Sequence, residues 1–287
     1  MITITETRPQ RENGLTLAGL PVGYLVHVAG TGGPAHVYRE TVELAIAAEE
    51  LGFASFWVAQ HRTPAAGGLL PSPLVMLAAI AARTSKIRLG TAVIAAALEN
   101  PVRLAEDAAV VDTLSGGRLE LGFGAGNDPA ASARFGRDHA RRHDDCLAVI
   151  DQVCRAFEET TLVPAVPDLR RRLWWATGSP DGIDAAAARG IGILSGRPDD
   201  QAAAGLARYR TAATEGRVAA CRMLAAGEPA ASLLDRWDRD PARAWAGEVV
   251  VQTQPSDTPF DGHLDTLQRL SAVAAARPAV AAVSSAG

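Results

Sequence analysis

The stretch KIRLGTAVIAAALENPVRLAEDAAVVDTLSGGRLELGFGAGN, residues 86–127, predicts the fold of the whole chain. Residues 87–94 are apolar and partly β-branched, which is typical of a strand buried on both faces. Asn100 before a proline marks a helix start, and a pair of glycines marks its end. Residues 118–123 then return to a strand. A strand, a crossover helix and a second buried strand form a βαβ unit, which predicts a parallel sheet covered by helices.

The second strand of this unit ends in a run of alternating glycines. Gly122, Gly124 and Gly126 alternate with Phe123 and Ala125, so they share one face of an extended segment. A face without side chains permits close approach of a flat ring or of another backbone. A tight corner of a barrel explains the spacing equally well. The spacing is GxGxG and differs from the GxGxxG of dinucleotide folds, so that motif is not met.

The alternation of strands and helices continues from residue 22 to residue 276 and gives eight predicted strand–helix pairs. At 287 residues this predicts an α/β protein with a (β/α)8 TIM barrel, as one domain over residues 1–287. Residues 1–19 are expected to be a loose lead-in and residues 278–287 a frayed tail. Residues 127–136 are expected to be irregular.

Composition excludes several classes of partner. The chain is 48% hydrophobic and 21% charged, with a net charge of -4, so we expect no nucleic acid partner. No apolar run reaches the roughly 18 residues of a spanning helix, and the N-terminus lacks the pattern of a leader peptide. We therefore expect no membrane partner and a cytoplasmic location.

Several kinds of catalysis are also not supported by the sequence. Neither an HxH after the first strand nor an HExxH is present, so no metal site is predicted. A GxSxG nucleophile elbow is absent, which argues against a serine hydrolase. Lys86 is the only lysine, and it precedes its strand, at the end of a barrel opposite the usual active site. Schiff-base chemistry is therefore not expected.

Polar residues that directly follow a strand of a parallel barrel face the active site. Gln60, His61 and Arg62 follow the second predicted strand, and His61 is the best catalytic candidate among the six histidines. A purely structural role for this histidine stays open. A substrate pocket is predicted from Gln60 and Arg62 together with His27 and Gln252, at the ends of the first and last strands. Gln252 could reach a polar ring edge or merely the solvent, and both interpretations stay open.

A second candidate region follows the fifth and sixth strands. Thr177, Gly178 and Ser179 precede a predicted helix, and small hydroxyl and glycine residues at a helix N-terminus form a natural phosphate site. Simple capping of the helix by Ser179 explains the same residues equally well. Ser195 and Arg197 follow the sixth strand, and Arg197 would supply the positive charge that a bound phosphate requires.

Several motifs occur together in the order and spacing of a known family. LGFASFWVAQHR (residues 51–62) and the long segment from PSPLVML to LELGFGAG (71–126) closely resemble the bacterial luciferase-like flavin-dependent monooxygenases. The later segments LRRRLWWATGSPDGIDAAAARGIGILSG (169–196) and VVVQTQPSDTPFDGHLDTLQRL (249–270) resemble an FMN-dependent branch of that family.

This resemblance implies a (β/α)8 barrel with reduced FMN at its C-terminal mouth, where the flavin and O2 oxidise a bound substrate. It further implies a separate flavin reductase, a homodimer, and His61 as the active-site histidine. The family's flavin-binding residues correspond to three groups in this sequence. The floor under the flavin ring corresponds to Thr91, Ala92, Ile94 and Ala95, and the exit of the fourth strand to Gly124, Ala125, Gly126 and Asn127. The phosphate loop corresponds to Thr177, Gly178 and Ser179.

The sequence also departs from the family pattern. Arg62 stands where many relatives have a second histidine, and Ala125 stands where luciferase has an arginine for the phosphate. The segment between strands four and five is short, which implies shortened insertions around the site. The leading hypothesis is an FMN-dependent two-component monooxygenase acting on a small organic substrate. The alternatives are a deazaflavin (F420)-dependent oxidoreductase of the same fold and a noncatalytic flavin-binding protein.

Overall fold

Within the part of the chain that the structure describes, ten strands form one sheet, and eight of them close into a parallel barrel. The computed structural model describes residues 14–63, 67–159 and 161–276. The strands are β1 (Thr16–Leu17), β2 (Leu20–Val26), β3 (Ser55–Val58), β4 (Arg88–Thr91), β5 (Ile94–Ala95), β6 (Leu119–Gly124), β7 (Leu173–Trp175), β8 (Gly192–Ser195), β9 (Val218–Ala225) and β10 (Glu248–Gln254). The order runs from β2 through β3, β4, β6, β7, β8 and β9 to β10, which pairs with β2 again.

Helices follow every barrel strand and cover the outside of the sheet. They are α1 (Pro34–Glu50), α2 (Pro73–Ala81), α3 (Pro101–Leu114), α4 (Pro129–Arg134), α5 (Arg142–Glu158), α6 (Pro180–Ala188), α7 (Asp200–Ala212), α8 (Ala230–Trp237) and α9 (Phe260–Ala276). Asn100 caps α3 as expected, because its side chain accepts hydrogen bonds from the backbone N–H groups of Val102 and Arg103. The predicted (β/α)8 barrel is confirmed.

Two local expectations were wrong within the described residues. The lead-in was expected to be loose up to residue 19, but Thr16–Leu17 pairs antiparallel with the start of β2, and Leu15 and Leu17 are buried. Both leucine side chains belong to the main apolar core. The irregular segment at 127–136 contains α4, whose first turn is capped by Asp128. Residues 1–13 and 277–287 lie outside the described residues.

A second, smaller apolar cluster fills the inside of the barrel. It consists of side chains on six strands and of one residue directly after β3: Leu25, Trp57, Ala59, Trp174, Leu194, Ala219 and Val250. The larger cluster lies between the sheet and the helices. The barrel is therefore packed with side chains, and ligands are limited to its ends.

Charged groups lie below this inner cluster, at the N-terminal end of the strands. Glu120 and Glu248 are almost fully buried, and Arg88 bridges them with N–O distances of 3.0 and 2.8 Å. Trp174 Nε1 donates to Glu120 at 2.5 Å, and Ser55 donates to Glu248. Each buried carboxylate thus has a cation and a further donor, which offsets the cost of its desolvation.

Candidate active site at the barrel mouth

Three polar side chains from neighbouring strands meet at the C-terminal end of the barrel. Gln252 lies in β10, His27 directly follows β2, and His61 follows β3. The Nε2 atoms of Gln252 and His27 are 2.7 Å apart, and His27 Nδ1 lies 3.1 Å from His61 Nε2. The barrel closes by pairing β10 with β2 and β2 with β3, so these distant residues become neighbours. The mouth therefore carries a chain of hydrogen bonds that ends on His61.

Both imidazoles of this chain are held neutral near pH 7. Burial lowers the pKa of His27, and the hydrogen bond with Gln252 partly opposes this shift. Burial also lowers the pKa of His61, and the nearby imidazole of His27 lowers it further. The backbone carbonyl of His27 works in the other direction and raises the pKa of His61. The net result is a pair of neutral rings, which suits proton exchange and hydrogen bonding without a permanent charge.

Gly68 packs against the second nitrogen of His61. A Cβ atom at this position would lie 2.2 Å from His61 Nδ1 and 2.8 Å from the carbonyl oxygen of His27. Two backbone hydrogen bonds hold the segment in place, from His61 N to the Leu70 carbonyl at 2.8 Å and from Leu69 N to the Val28 carbonyl at 3.0 Å. Only glycine fits here with the present orientation of the His61 ring.

The two flanking pocket candidates are engaged by other groups. Gln60 accepts from the backbone N–H of Ala95 at 2.8 Å and donates to Glu99 at 3.1 Å. Arg62 also donates to Glu99, and its guanidinium carbon lies 4.5 Å from the ring centroid of Phe135. Glu99 was not singled out from the sequence, because its partners lie more than 30 residues away. Gln60 and Arg62 thus shape the mouth by fixing the segment after β4.

The glycines at the end of β6 make room for the adjacent chain segment. A Cβ atom on Gly122 would lie 2.1 Å from the Thr91 carbonyl oxygen, and one on Gly124 would lie 2.5 Å from a methyl group of Val93. The peptide bond between Ala92 and Val93 is cis. Close approach of another backbone, one of the sequence interpretations, accounts for Gly122. At Gly124 the close neighbour is the side chain of Val93, which neither interpretation named.

The residues predicted as the flavin floor divide into two groups. Thr91 and Ile94 are buried, and Thr91 joins β4 to β6 by accepting from Gly122 N at 2.8 Å and donating to the Gly122 carbonyl at 2.9 Å. Ala92 and Ala95 keep partial exposure, as does Val93 between them. The floor surface of this segment therefore consists of small apolar side chains.

The exit of β6 is more open than the strand itself. Gly124 is buried, Ala125 and Gly126 are partly exposed, and Asn127 is exposed. Gly126 has a φ of 78°, which favours glycine, and a Cβ there would lie 3.0 Å from the Cβ of Ala95. This exit and the floor segment thus lie side by side.

A cavity of about 510 Å³ lies at the N-terminus of α6. Thr177, Gly178, Ser179, Ser195 and Arg197 all line it, as the sequence predicted them to lie together. The Ser179 hydroxyl caps the helix by accepting from Gly182 N at 3.2 Å. A Cβ on Gly178 would lie 3.8 Å from Arg197 Nη2, so the guanidinium group reaches the open N-terminal turn of the helix. Hydroxyl-bearing side chains and the cation of Arg197, which also pairs with Asp199 at 3.4 Å, therefore line one cavity at a helix N-terminus, which fits a phosphate group.

Residues 14–63, 67–159 and 161–276 contain no group of three or more His, Cys, Asp or Glu side chains arranged to hold a metal ion. Over the same described ranges, none of the helices has the length and apolar character needed to cross a membrane.

The chain belongs to the luciferase-like monooxygenase family, whose model matches residues 22–284. A solved monooxygenase from Streptomyces bottropensis has the same fold, with a TM-score of 0.73 and 24% identity over 88% of this chain and 98% of that one. The resemblance seen in the sequence is thereby confirmed, together with the barrel that it implied.

Curated relatives include enzymes that use either of two related cofactors. The oxygenase component of a flavin-dependent trigonelline monooxygenase from Acinetobacter baylyi is 33% identical over 31% of this chain and 25% of its own length. An F420-dependent glucose-6-phosphate dehydrogenase from Amycolatopsis mediterranei is 39% identical over 33% of this chain and 31% of its own length. The chain spans about half the length, or less, of the curated relatives it matches.

Proposed function

We propose that this protein is an FMN-dependent oxygenase component that oxidises a small organic substrate with O2. The observation that carries the proposal is the cavity at the N-terminus of α6, where Arg197 approaches Gly178 beside the hydroxyl-bearing residues Thr177 and Ser179. A terminal phosphate matches this set of donors. Thr177, Gly178 and Ser179 would hold the phosphate, and Ser195 would line the same cavity.

The flavin ring would extend from the phosphate cavity towards the barrel mouth. Ala92, Ala95, Ala125 and Gly126 offer small, partly exposed groups on which a flat ring can lie. Bound FMN supplies the redox chemistry when it is reduced. Asn127 is exposed at the same exit and would offer a polar group to the edge of the ring.

His61 would orient or deprotonate groups beside the flavin and substrate. Its low pKa leaves it neutral and therefore able to accept a proton near pH 7. His27 and Gln252 would complete the substrate side of the mouth, while Gln60 and Arg62 would fix its rim through Glu99. The specific substrate is left open by this set of groups.

A separate reductase would deliver the reduced flavin in the cytoplasm. The relative from Acinetobacter baylyi is named as an oxygenase component, which supports a division of labour between two proteins. We therefore include a flavin reductase among the functional partners.

A homodimer would form through α2 and α3. Large apolar side chains are exposed on these two adjacent helices: Val75 at 72%, Val102 at 60%, Val110 at 46% and Leu114 at 63%. They account for four of the seven exposed large hydrophobic residues among those described. Such a concentration on one pair of helices is typical of a protein–protein interface.

The second candidate is an F420-dependent oxidoreductase, which the sequence identity with the relative from Amycolatopsis mediterranei favours.

The experiment that separates the candidates starts with the protein and FMNH2 mixed without oxygen, after which oxygen is admitted. An oxygenase component alters the rate of flavin reoxidation and forms an oxidised product from a substrate in a screened panel. An F420-dependent enzyme leaves FMNH2 reoxidation unchanged and instead reduces or oxidises F420 with a substrate. A noncatalytic protein binds flavin without any product.

A further inference from the structure

The chain of hydrogen bonds from Gln252 to His61 restricts where its protons can lie. Each imidazole nitrogen in the chain is either a donor or an acceptor, and two facing nitrogens cannot both be donors. Gln252 Nε2 faces His27 Nε2 at 2.7 Å, and His27 Nδ1 faces His61 Nε2 at 3.1 Å. A proton assignment at one end therefore determines all the others.

The His61 end of the chain can be assigned from its surroundings. The backbone carbonyl of His27 interacts with the His61 ring, and a carbonyl can only accept. His61 Nδ1 is buried without a hydrogen-bond partner among the described residues. A Cβ atom on Gly68 would lie 2.2 Å from this nitrogen and 2.8 Å from the His27 carbonyl oxygen, so both atoms lie on the same side of Gly68. A proton on Nδ1 is favoured by this carbonyl, whereas a lone pair there would be repelled by it.

The remaining assignments follow along the chain. With its proton on Nδ1, His61 has a lone pair on Nε2, which accepts a hydrogen bond from His27 Nδ1–H. His27 then has its own lone pair on Nε2, and only the amide NH2 group of Gln252 can donate to it. The orientation of the Gln252 amide agrees with this requirement. The carbonyl at one end and the amide at the other thus favour the same arrangement.

We propose that Gln252 is a positioning residue that acts through His27 to fix the tautomer of His61, with the proton on Nδ1 and the lone pair on Nε2. The chemical importance of this arrangement rests on the proposed function, in which His61 acts at the reacting centre. Because His27 occupies the lone pair, His61 accepts a proton at Nε2 only when the contact between the two rings opens. Gln252 and His27 thereby control when His61 can act as a base.

The test is ¹⁵N NMR of histidine-labelled, flavin-free protein at about pH 9, where both rings are neutral because their ordinary pKa is about 6.5. A His61→Gln protein assigns the His61 signals. We expect the wild-type His61 ring to carry its proton on Nδ1 about ten times as often as on Nε2, or more. The reason is that only the Nδ1–H form accepts the hydrogen bond from His27. The Gln252→Glu variant offers only acceptors to His27, so both rings should invert and His61 should carry its proton on Nε2.

Gln254→Glu is the matched control, because it places the same charge two residues further along β10, and its side chain has no described contact with His27. This variant should retain the wild-type tautomer. If Gln252→Glu fails to fold, Gln252→Leu removes the donor and should reduce the preference at His61 at least severalfold. A wild-type His61 with its proton on Nε2, or variants of Gln252 that leave the tautomer unchanged, would overturn the proposal. These readouts require neither flavin nor turnover, so they are independent of the proposed function.

Discussion

His27 Nδ1 lies 3.1 Å from His61 Nε2, and the centroids of the two rings are 5.0 Å apart with an angle of 36° between their planes. The rings are therefore joined edge to edge by a hydrogen bond and are not stacked in parallel. This arrangement makes His61 one end of a connected group. Its removal should therefore affect chemistry more than the binding of a cofactor whose phosphate would bind at α6, as proposed.

The His61→Ala variant should retain FMN binding and lose product formation by about 10²–10⁴-fold, the usual contribution of a general acid or base. Product formed per FMNH2 consumed is the measurement, with any substrate that the wild-type protein oxidises. His143→Ala, at an exposed position of α5, serves as the control. Full turnover in the His61 variant would remove the catalytic role.

The Arg197→Ala variant should weaken FMN binding by about 1–3 kcal/mol, because a charge-assisted contact with the phosphate is lost. A fluorescence titration measures this change. Riboflavin lacks the phosphate and should bind both proteins equally. Arg39→Ala removes an exposed arginine from α1 and should leave the titration curve unchanged. Equal FMN affinity in the Arg197 variant would place the phosphate elsewhere.

The Gly68→Ala variant should displace the His61 ring, because the added Cβ would lie 2.2 Å from Nδ1. The expected result is a broken contact between His27 and His61 with a loss of turnover and little change in the helices, as seen by crystallography and circular dichroism. Gly247→Ala is a suitable control, since its Cβ would meet only the Val218 carbonyl at 3.7 Å. An unmoved His61 ring in the Gly68 variant would contradict this account of the packing.

The Leu114→Glu variant should convert the proposed dimer into a monomer, because it places a charge within the exposed apolar surface of α2 and α3. Sedimentation velocity at several concentrations measures the change. Met223→Glu, at an exposed apolar position outside these helices, should leave the assembly intact. A wild-type protein that sediments as a monomer at all concentrations would exclude this interface.

Stability should fall in mild acid because of a buried histidine. Burial lowers the pKa of His263 to about 4, and Tyr24 OH lies 2.9 Å from its Nδ1 atom. The unfolded chain takes up this proton near pH 6.5, so protonation favours unfolding as the pH falls from about 6.5 towards 4. His263 alone should make the protein about 2 kcal/mol less stable at pH 5 than at pH 7. Urea titrations of His263→Asn should lack that part of the pH dependence, and an unchanged dependence would refute the assignment.

The sequence was sufficient for the barrel because most of its strands and its longer helices have a local signature. The cap at Asn100 depends on near neighbours, and the structure reproduces it, whereas the single strand expected over residues 87–94 is divided into β4 (Arg88–Thr91) and β5 (Ile94–Ala95). Short segments were missed: β1 has two residues and α4 has six, so neither has a periodic pattern long enough to detect.

The candidate site was predictable as a set of positions but not as a set of contacts. His61, His27 and Gln252 follow or end predicted strands, which places them at the mouth. Their hydrogen bonds depend on closure of the barrel, which joins residues 225 positions apart in the case of Gln252 and His27. The bond between Arg62 and Glu99 likewise depends on the fold, and no local pattern signals it.

The most direct test of the central claim is an anaerobic fluorescence titration of the purified protein with FMNH2, beside parallel titrations with FMN and F420. The account predicts selective micromolar binding of FMNH2, which the Arg197→Ala variant weakens. Binding of F420 alone, or of none of the three, would contradict the assignment of this barrel as an FMN-dependent oxygenase component.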